Sequence, residues 1–169
     1  MEGQESSVKI WAASSSAPSV LSLTRGCLAT TWMCSHPTKE RLHYRAARRL
    51  DKSVIRGLAQ ESACVRNHEQ IFILGPIGIG ESFVACALAH KACPDGYLAF
   101  YTREAALFRD LGLARADGSL QLLLAKLSRI DVLVIDDWAT APLTEPERRD
   151  FREICEDRYQ VRSMVLTSQ

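Results

Sequence analysis

The 169-residue sequence has no run of about 18 apolar residues, so it contains no candidate transmembrane helix. It also lacks the basic start and unbroken apolar stretch that a secretory signal peptide needs. None of its six cysteines forms a C-x-x-C pair, so the sequence gives no support for zinc-ribbon or thioredoxin-like sites. Cys86 lies in the apolar run 83–89, where a thiol behaves as a small core side chain. We therefore expect reduced thiols in a cytoplasmic protein with no membrane partner.

A net charge is almost absent as well, because 21 Lys and Arg residues face 20 Asp and Glu residues, giving +1. This total hides a segregation along the chain. Residues 39–66 contain eight basic and three acidic residues, for a net charge of +5. Residues 67–169 contain 11 basic and 15 acidic residues, for a net charge of −4, and residues 1–38 sum to zero. The basic part is the part suited to a polyanionic partner.

These differences divide the chain into three parts. Residues 1–38 contain a Ser-rich cluster at 14–19 and scattered apolar residues without periodicity, which predicts a disordered leader. Residues 39–66 form a basic arm, in which apolar residues recur at helical spacing between 51 and 65. Residues 67–169 have the pattern of a folded core.

In this core, short apolar strands alternate with helices. Thr144 and Glu147 have the spacing of a capping box at the start of the last helix. The alternation is typical of an α/β fold with a parallel sheet, whose strands are continuously apolar because both faces are buried. Strands are predicted at 71–74, 97–101, 132–135 and 163–167, and helices at 82–92, 104–113, 120–127 and 145–159.

The loop after the first core strand has the spacing of a phosphate-binding loop, G-x-x-x-x-G-K-[ST]. Its glycines let backbone N–H groups turn towards phosphate oxygens, and the following helix points its N-terminus at them. Ser82 has the place of the hydroxyl that meets Mg²⁺. The candidate nucleotide-binding residues are Gly75, Pro76, Ile77, Gly78, Ile79, Gly80, Glu81 and Ser82.

Glu81 stands where this motif has its lysine. The lysine neutralises the terminal phosphates, so a carboxylate there removes an attraction and adds a repulsion. Each such interaction at about 4 Å is worth roughly 4 kcal/mol at an effective dielectric constant near 20, and a third of the combined change would weaken binding by about two decades. Two interpretations stay open: Glu81 is a loss-of-function change in a decaying gene, or it supplies an anion of its own at the helix N-terminus. Compensation by Lys52 or Lys91 has no support in the sequence.

The second motif is the run 132–137 (VLVIDD), an apolar strand that ends in two carboxylates. In phosphate-loop NTPases the first carboxylate orders the metal ion and the second polarises the attacking water. Alone, a strand ending in two acidic residues is a weak signal. It becomes specific here because it follows the phosphate-binding loop by about 55 residues with two strand–helix units between. Asp136 is therefore the metal candidate and Asp137 the catalytic candidate.

Together these motifs make the sequence from about residue 44 to residue 169 similar to the IstB-type transposition helper ATPases, relatives of the DnaC helicase loaders within the AAA+ class. The segment before about residue 40 does not look like the N-terminus of that family. The segments that carry the resemblance are GPIGIGES (75–82), FVACALAHKAC (83–93), FYTR (100–103), LARADGSL (113–120), VLVIDDW (132–138), APLTEPERRD (141–150), EDRY (156–159) and MVLTSQ (164–169).

The resemblance implies a three-layer phosphate-loop NTPase (AAA+-like) core that binds ATP and Mg²⁺. Ser82 and Asp136 then correspond to metal-binding positions, and Asp137 corresponds to the catalytic carboxylate. The class places a polar sensor of the γ-phosphate at the end of the fourth core strand, here residues 167–169. Ser168 is therefore a further nucleotide-binding candidate.

The resemblance also implies a sheet with the strand order 5-1-4-3-2, counting the core strands along the chain. The sequence ends after the fourth of these strands, so we expect a core that is incomplete at the C-terminus, without the fifth strand and the arginine finger. Residues 71–74 would then form an exposed apolar edge. ATP hydrolysis would be weak or absent, because the finger stabilises the charge of the transition state. Whether the chain is an enzyme stays open at this point.

The expected partners are DNA, a transposase and further copies of the chain. In the resembled family the region before the phosphate-binding loop contacts DNA, which makes Arg45, Arg48, Arg49 and Lys52 candidates for sequence-independent phosphate contacts. The alternative is a solvated face of an amphipathic helix.

The predicted function is an ATP-binding helper of DNA transposition that is weak or inactive in ATP hydrolysis. One alternative is a non-enzymatic remnant that keeps only a DNA or protein interaction surface. A second alternative is a helicase-loader switch like DnaC, which shares the fold and differs in its partner.

Overall fold

The computed structural model describes residues 9–13, 52–75 and 80–169. These residues form five strands in one sheet, with helices on both faces. The strands are β1 (Lys9–Ala13), β2 (Gln70–Leu74), β3 (Ala99–Arg103), β4 (Val132–Asp136) and β5 (Ser163–Ser168). The helices are α1 (Lys52–Ala59), α2 (Ala63–Arg66), α3 (Glu81–Ala92), α4 (Glu104–Asp117), α5 (Leu120–Arg129) and α6 (Glu145–Arg158), with a 3₁₀ turn at Gln60–Ser62.

The four core strands β2, β5, β4 and β3 are adjacent in that order and parallel. Counted along the core, this is the order 1-4-3-2 that the resemblance implied. Helices connect these strands, as crossovers between parallel strands require. The predicted α/β fold with a parallel sheet is therefore confirmed.

Two hydrophobic cores lie on the two faces of the sheet. On one face, α1, α2 and α3 pack against alternate side chains of the strands, among them Ile73 and Val134. On the other face, α4, α5 and α6 pack against the intervening side chains, such as Leu133 and Ile135. Every residue of β4 is buried, which explains why its sequence is continuously apolar up to Asp136. The result is the predicted three-layer arrangement.

Strand β1 pairs antiparallel with β2, from Lys9 opposite Leu74 to Ala13 opposite Gln70. This pairing corrects the expectation that residues 71–74 form an exposed edge. It also shows that part of the segment 1–38 has regular structure, which its aperiodic sequence did not predict. The five residues of β1 pair with all five residues of β2, so β1 supplies the backbone hydrogen bonding on this side of the sheet.

The prediction that both faces of β2 are buried is wrong. Ile71 and Ile73 are buried, whereas Phe72 and Leu74 are 39% and 37% exposed. Among the described residues, α4, α5 and α6 pack on this face of the sheet over β3, β4 and β5 and leave the β2 end uncovered. Length and composition of the strand do not reveal which of its faces lacks a helix.

The helix predicted between residues 51 and 65 is interrupted. Helix α1 ends at Ala59, and Ser62 has a left-handed backbone with φ 50° before α2 begins. The Ser62 hydroxyl donates a 2.6 Å hydrogen bond to Asp95 Oδ2, which also pairs with Lys91 Nζ at 2.6 Å. The hydrogen bond at this interruption therefore connects the arm to the C-terminal end of α3. Of the DNA-contact candidates, Lys52 begins α1, and Arg45, Arg48 and Arg49 lie outside the described residues.

Arg158 lies at the amino ends of β4 and β5, opposite to the strand ends that carry the motifs. Its side chain is 1% exposed and donates hydrogen bonds to the carbonyls of Leu127, Ile130, Asp131 and Ser163. Burial lowers the pKa of this guanidinium to about 10. These contacts hold the connections into β4 and β5, so Arg158 has a structural role.

In the described part of the chain, no helix combines the length and the apolar character needed to cross a membrane.

Candidate functional site

The carboxyl ends of β2, β4 and β5 meet beside the N-terminus of α3. The Gly75 N–H, just after β2, donates to the Ser168 carbonyl at 3.3 Å. The Trp138 N–H, just after β4, donates to the Thr167 carbonyl at 2.7 Å. Ligands of open α/β sheets bind outside the carboxyl ends of the strands. Those candidate residues of the two sequence motifs that the structure describes are therefore at the edge where a ligand is expected.

Asp136 is the centre of this site. It is 3% exposed and accepts hydrogen bonds from three hydroxyl groups. The Ser82 hydroxyl donates to Oδ1 at 2.9 Å, the Thr167 hydroxyl also donates to Oδ1, and the Tyr101 hydroxyl donates to Oδ2. Neutral donors thus satisfy a carboxylate that burial would otherwise leave without solvation. The two metal candidates predicted from sequence, Ser82 and Asp136, are in direct contact.

Tyr101 is a site residue that the sequence did not indicate. Burial and, next, its hydrogen bond to Asp136 raise the pKa of the Tyr101 phenol well above its usual range. Burial and the same carboxylate raise the pKa of the nearby Cys86 thiol to about 11, so this thiol is protonated and unreactive at neutral pH. The only signal for Tyr101 was its place near the end of a predicted strand.

Asp137 differs from Asp136 in its exposure. Its side chain is 43% exposed, and its backbone has a left-handed φ of 59°. The Asp137 N–H donates to Thr167 Oγ1 at 3.2 Å, so Thr167 bridges the two acidic residues. Arg103 Nε lies 3.8 Å from Asp137 Oδ2 in an exposed pair. The second carboxylate of the motif is therefore open to water, as activation of a water molecule requires.

A cleft of about 770 Å³ lies beside Asp137. Glu104, one of its lining residues, is buried, and this burial raises the pKa of its carboxyl. The cleft is lined by Arg103, Glu104, Ala105, Phe108, Arg109, Asp137, Thr140, Ala141, Pro142, Leu143 and Glu147. Asp137 is one of these lining residues, so the carboxylate that a water molecule can reach opens into this cleft.

Ser168 points its hydroxyl at the backbone. Ser168 Oγ donates to the Trp138 carbonyl at 2.7 Å, which fastens the end of β5 to the loop after β4. The Trp138 ring stacks on Phe151 with centroids 3.9 Å apart. Thr167, rather than Ser168, is the β5 residue that contacts both acidic residues, through the Asp136 carboxylate and the Asp137 N–H.

Glu81 is the first residue of α3 and is 8% exposed. Its Oε2 accepts a 3.2 Å hydrogen bond from the Gly80 N–H. Its Oε1 is buried and makes no hydrogen bond among the described residues. Gly80 has a φ of 104°, a conformation that side chains rarely adopt, and its carbonyl accepts the first bond of the helix from Val84 N–H at 3.0 Å. Pro76, Ile77, Gly78 and Ile79 lie outside the described residues.

Among the described residues, no group of three or more His, Cys, Asp or Glu side chains could hold a metal ion alone. The pair Ser82 and Asp136 offers only oxygen donors, which suits Mg²⁺. Such a site keeps several water molecules and shares the ion with substrate phosphates. The residues present therefore fit a nucleotide-dependent Mg²⁺ site.

The sheet order gives this domain a parallel-sheet α/β fold that resembles AAA+ phosphate-loop NTPase domains. It resembles the replication initiator DnaA bound to AMPPCP and single-stranded DNA, with a TM-score of 0.62 and 18% identity over 69% of this chain and 36% of that chain. It also resembles the DnaC helicase loader, with a TM-score of 0.60 and 21% identity over 70% of this chain and 71% of that chain. At these identities the likeness shows the fold.

The model of the IstB-like ATP-binding protein family matches residues 23–169, and the chain belongs to this family. The match begins earlier than residue 44, where the sequence motifs placed the start of the resemblance. The insertion sequence ATP-binding protein y4pL of Sinorhizobium fredii is 42% identical over 130 residues, which are 77% of this chain and 53% of that protein. The chain spans about half the length of the curated relatives it matches.

Proposed function

We propose that this chain is an ATP-binding helper of DNA transposition and that the nucleotide binds at the N-terminus of α3. The observation that carries the proposal is the 2.9 Å hydrogen bond from Ser82 Oγ to Asp136 Oδ1. It joins the helix after the phosphate-binding loop to the strand that ends in the acid pair, across 54 positions of sequence. The contact brings the two motifs that share one expected ligand to the same place.

The residues of this site have distinct roles in the proposal. Backbone N–H groups at the start of α3 bind phosphate oxygens. Ser82 would hold Mg²⁺, and Asp136, whose two oxygens already accept hydroxyl hydrogen bonds, would order the water shell of the ion. Mg²⁺, when bound, supplies charge neutralisation to the phosphates. Asp137, which is open to solvent, orients the attacking water molecule.

Ser168 stays a candidate for the γ-phosphate sensor. Its hydroxyl proton is donated to the Trp138 carbonyl, so it must rotate before it can donate to a phosphate. Thr167 is the alternative at the same strand end, since its hydroxyl lies between the two acidic residues.

Glu81 sets the strength of binding. A carboxylate at the lysine position opposes the terminal phosphates, and its burial keeps water from screening it. We therefore expect Mg-ATP binding to be weaker by about two decades than in a variant with lysine at this position. Hydrolysis is expected to be weak or absent for the same reason.

DNA, a transposase and further copies of the chain are the proposed partners, and the cytoplasm is the proposed location. The match to insertion sequence ATP-binding proteins supports the first two partners. The net charge of +5 on residues 39–66 suits DNA phosphates.

A second candidate function is an interaction module that binds no nucleotide. The buried Glu81 carboxylate favours it, because the position that should attract phosphate carries the wrong charge. A helicase-loader switch like DnaC shares the fold and is separated from the first proposal by its protein partner.

A titration of a fluorescent ATP analogue with Mg²⁺ tests the proposal. Glu81→Lys is expected to bind at least about 100-fold more tightly than the wild type. Glu145→Lys is the matched control, because Glu145 is also the first residue of a helix, and it should bind like the wild type. Failure of Glu81→Lys to bind, with the variant folded, would favour the interaction module.

A further inference from the structure

The Glu81 carboxylate is unusual because it is buried and only one of its two oxygens accepts a hydrogen bond. The residue is 8% exposed, and one oxygen accepts the Gly80 N–H at 3.2 Å while the other has no partner among the described residues. No basic side chain of the described residues forms an ion pair with it. A buried carboxylate is costly unless donors or dipoles stabilise it.

The position of Glu81 supplies that stabilisation. It is the first residue of the 12-residue helix α3, where unpaired backbone N–H groups and the helix dipole favour an anion. Those same features attract a nucleotide phosphate to a helix that follows a phosphate-binding loop. Glu81 and a phosphate would therefore compete for the same backbone N–H groups and the same helix dipole.

We propose that the Glu81 carboxylate is the resident anion of the α3 N-terminus and that a nucleotide phosphate must displace it. The described conformation is then a self-occupied state of the site. This inference rests on the proposed function, because it concerns the same site, and it adds an intramolecular competitor to the missing lysine. The unpartnered oxygen is consistent with this inference. Because Oε1 accepts no hydrogen bond in this conformation, displacing the carboxylate breaks only the bond from the Gly80 N–H to Oε2.

Glu81 could weaken phosphate binding by occupying the α3 N-terminus or by charge repulsion alone, and the two explanations predict different affinities when Glu81 is replaced by the shorter aspartate. Glu81→Gln removes the charge, so it relieves both effects. Glu81→Asp keeps the charge but is one methylene shorter, so we expect its carboxylate to fall short of the position next to the Gly80 N–H. Repulsion alone therefore predicts that Glu81→Asp binds anions like the wild type, whereas occupation predicts tighter binding.

Calorimetric titration of inorganic tripolyphosphate, without Mg²⁺ and at low salt, measures this difference. We expect Glu81→Gln to bind at least ten-fold more tightly than the wild type and Glu81→Asp at least three-fold more tightly. Glu81→Ala is a second neutral variant should Glu81→Gln fail to fold, and thermal unfolding establishes which variants are folded. Glu145→Gln, at the start of α6, is the control and should match the wild type.

If the neutral variants bind tripolyphosphate with the affinity of the wild type, the inference is wrong. If Glu81→Asp binds it with the affinity of the wild type, repulsion alone explains the effect of Glu81, and the inference is also wrong. A parallel titration of Mg-ATP into Glu81→Lys separates this result from the proposed function. If Glu81→Lys binds Mg-ATP and Glu81→Gln gains nothing, the proposed function stands and the resident anion is wrong. If Glu81→Lys binds no Mg-ATP while Glu81→Gln gains tripolyphosphate binding, the resident anion stands and the proposed function is wrong.

Discussion

Tyr101→Phe is expected to destabilise the protein although it removes a single oxygen atom. The Tyr101 hydroxyl donates to Asp136 Oδ2, and Asp136 is 3% exposed. Hydrogen bonds to charged groups contribute about 1.5–3 kcal/mol, and water has little access to replace this donor. We therefore expect the free energy of unfolding to fall by about 2 kcal/mol.

Urea denaturation followed by circular dichroism measures this loss. Tyr97→Phe is the matched control, because Tyr97 is a partly buried tyrosine packed against a hydrophobic core, and its effect should stay within about 0.5 kcal/mol. A double-mutant cycle with Asp136→Asn isolates the contact, and a coupling energy of about 0.5–3 kcal/mol is expected. Additive effects of the two substitutions would refute the central position of Asp136.

The same contact predicts a dependence on pH. Burial and the hydrogen bond to Asp136 raise the pKa of Tyr101 above its ordinary value of 10.0, so the folded protein keeps a proton that the unfolded chain releases. The stabilisation is complete below about pH 10 and is lost as the pH rises towards the raised pKa. Tyr101→Phe should therefore flatten the fall of stability above pH 10, and an unchanged slope would contradict the assignment.

Two further predictions concern other parts of the chain. Arg158→Met should lower the free energy of unfolding by about 3 kcal/mol or more, because four carbonyls each lose one hydrogen bond. The exposed control Arg152→Met should change it by less than about 0.5 kcal/mol, and equal effects would contradict the structural role. DNA binding in a gel-shift assay should fall steeply with salt and weaken when Arg45, Arg48 and Arg49 are changed to Ala, whereas unchanged binding would remove the basic arm as the DNA contact.

The sheet could be predicted because its central strands leave a local signal. β4 is buried at every position and apolar up to Asp136, and the glycine-bounded loop and the acid pair identify the two ends that meet at Ser82 and Asp136. β1 could not be predicted, because its five residues join the sheet by backbone pairing to β2, which sequence pattern does not report.

Other features depend on contacts between distant elements. Tyr101 reaches Asp136 only because β3 pairs with β4 in one register, with Tyr101 opposite Val134. The break at Ser62 is held by a side chain 33 residues away at the end of α3. The spacing of apolar residues therefore predicted a helix there, while the tertiary contact determined where it stops.

The affinity of Glu81→Lys for Mg-ATP, measured beside the wild type, tests the central claim most directly. The claim is that α3, Ser82 and Asp136 form a nucleotide site that Glu81 weakens. It predicts micromolar or tighter binding for the variant and an affinity lower by about 100-fold for the wild type. Equal affinities, or no binding by the folded variant, would contradict it.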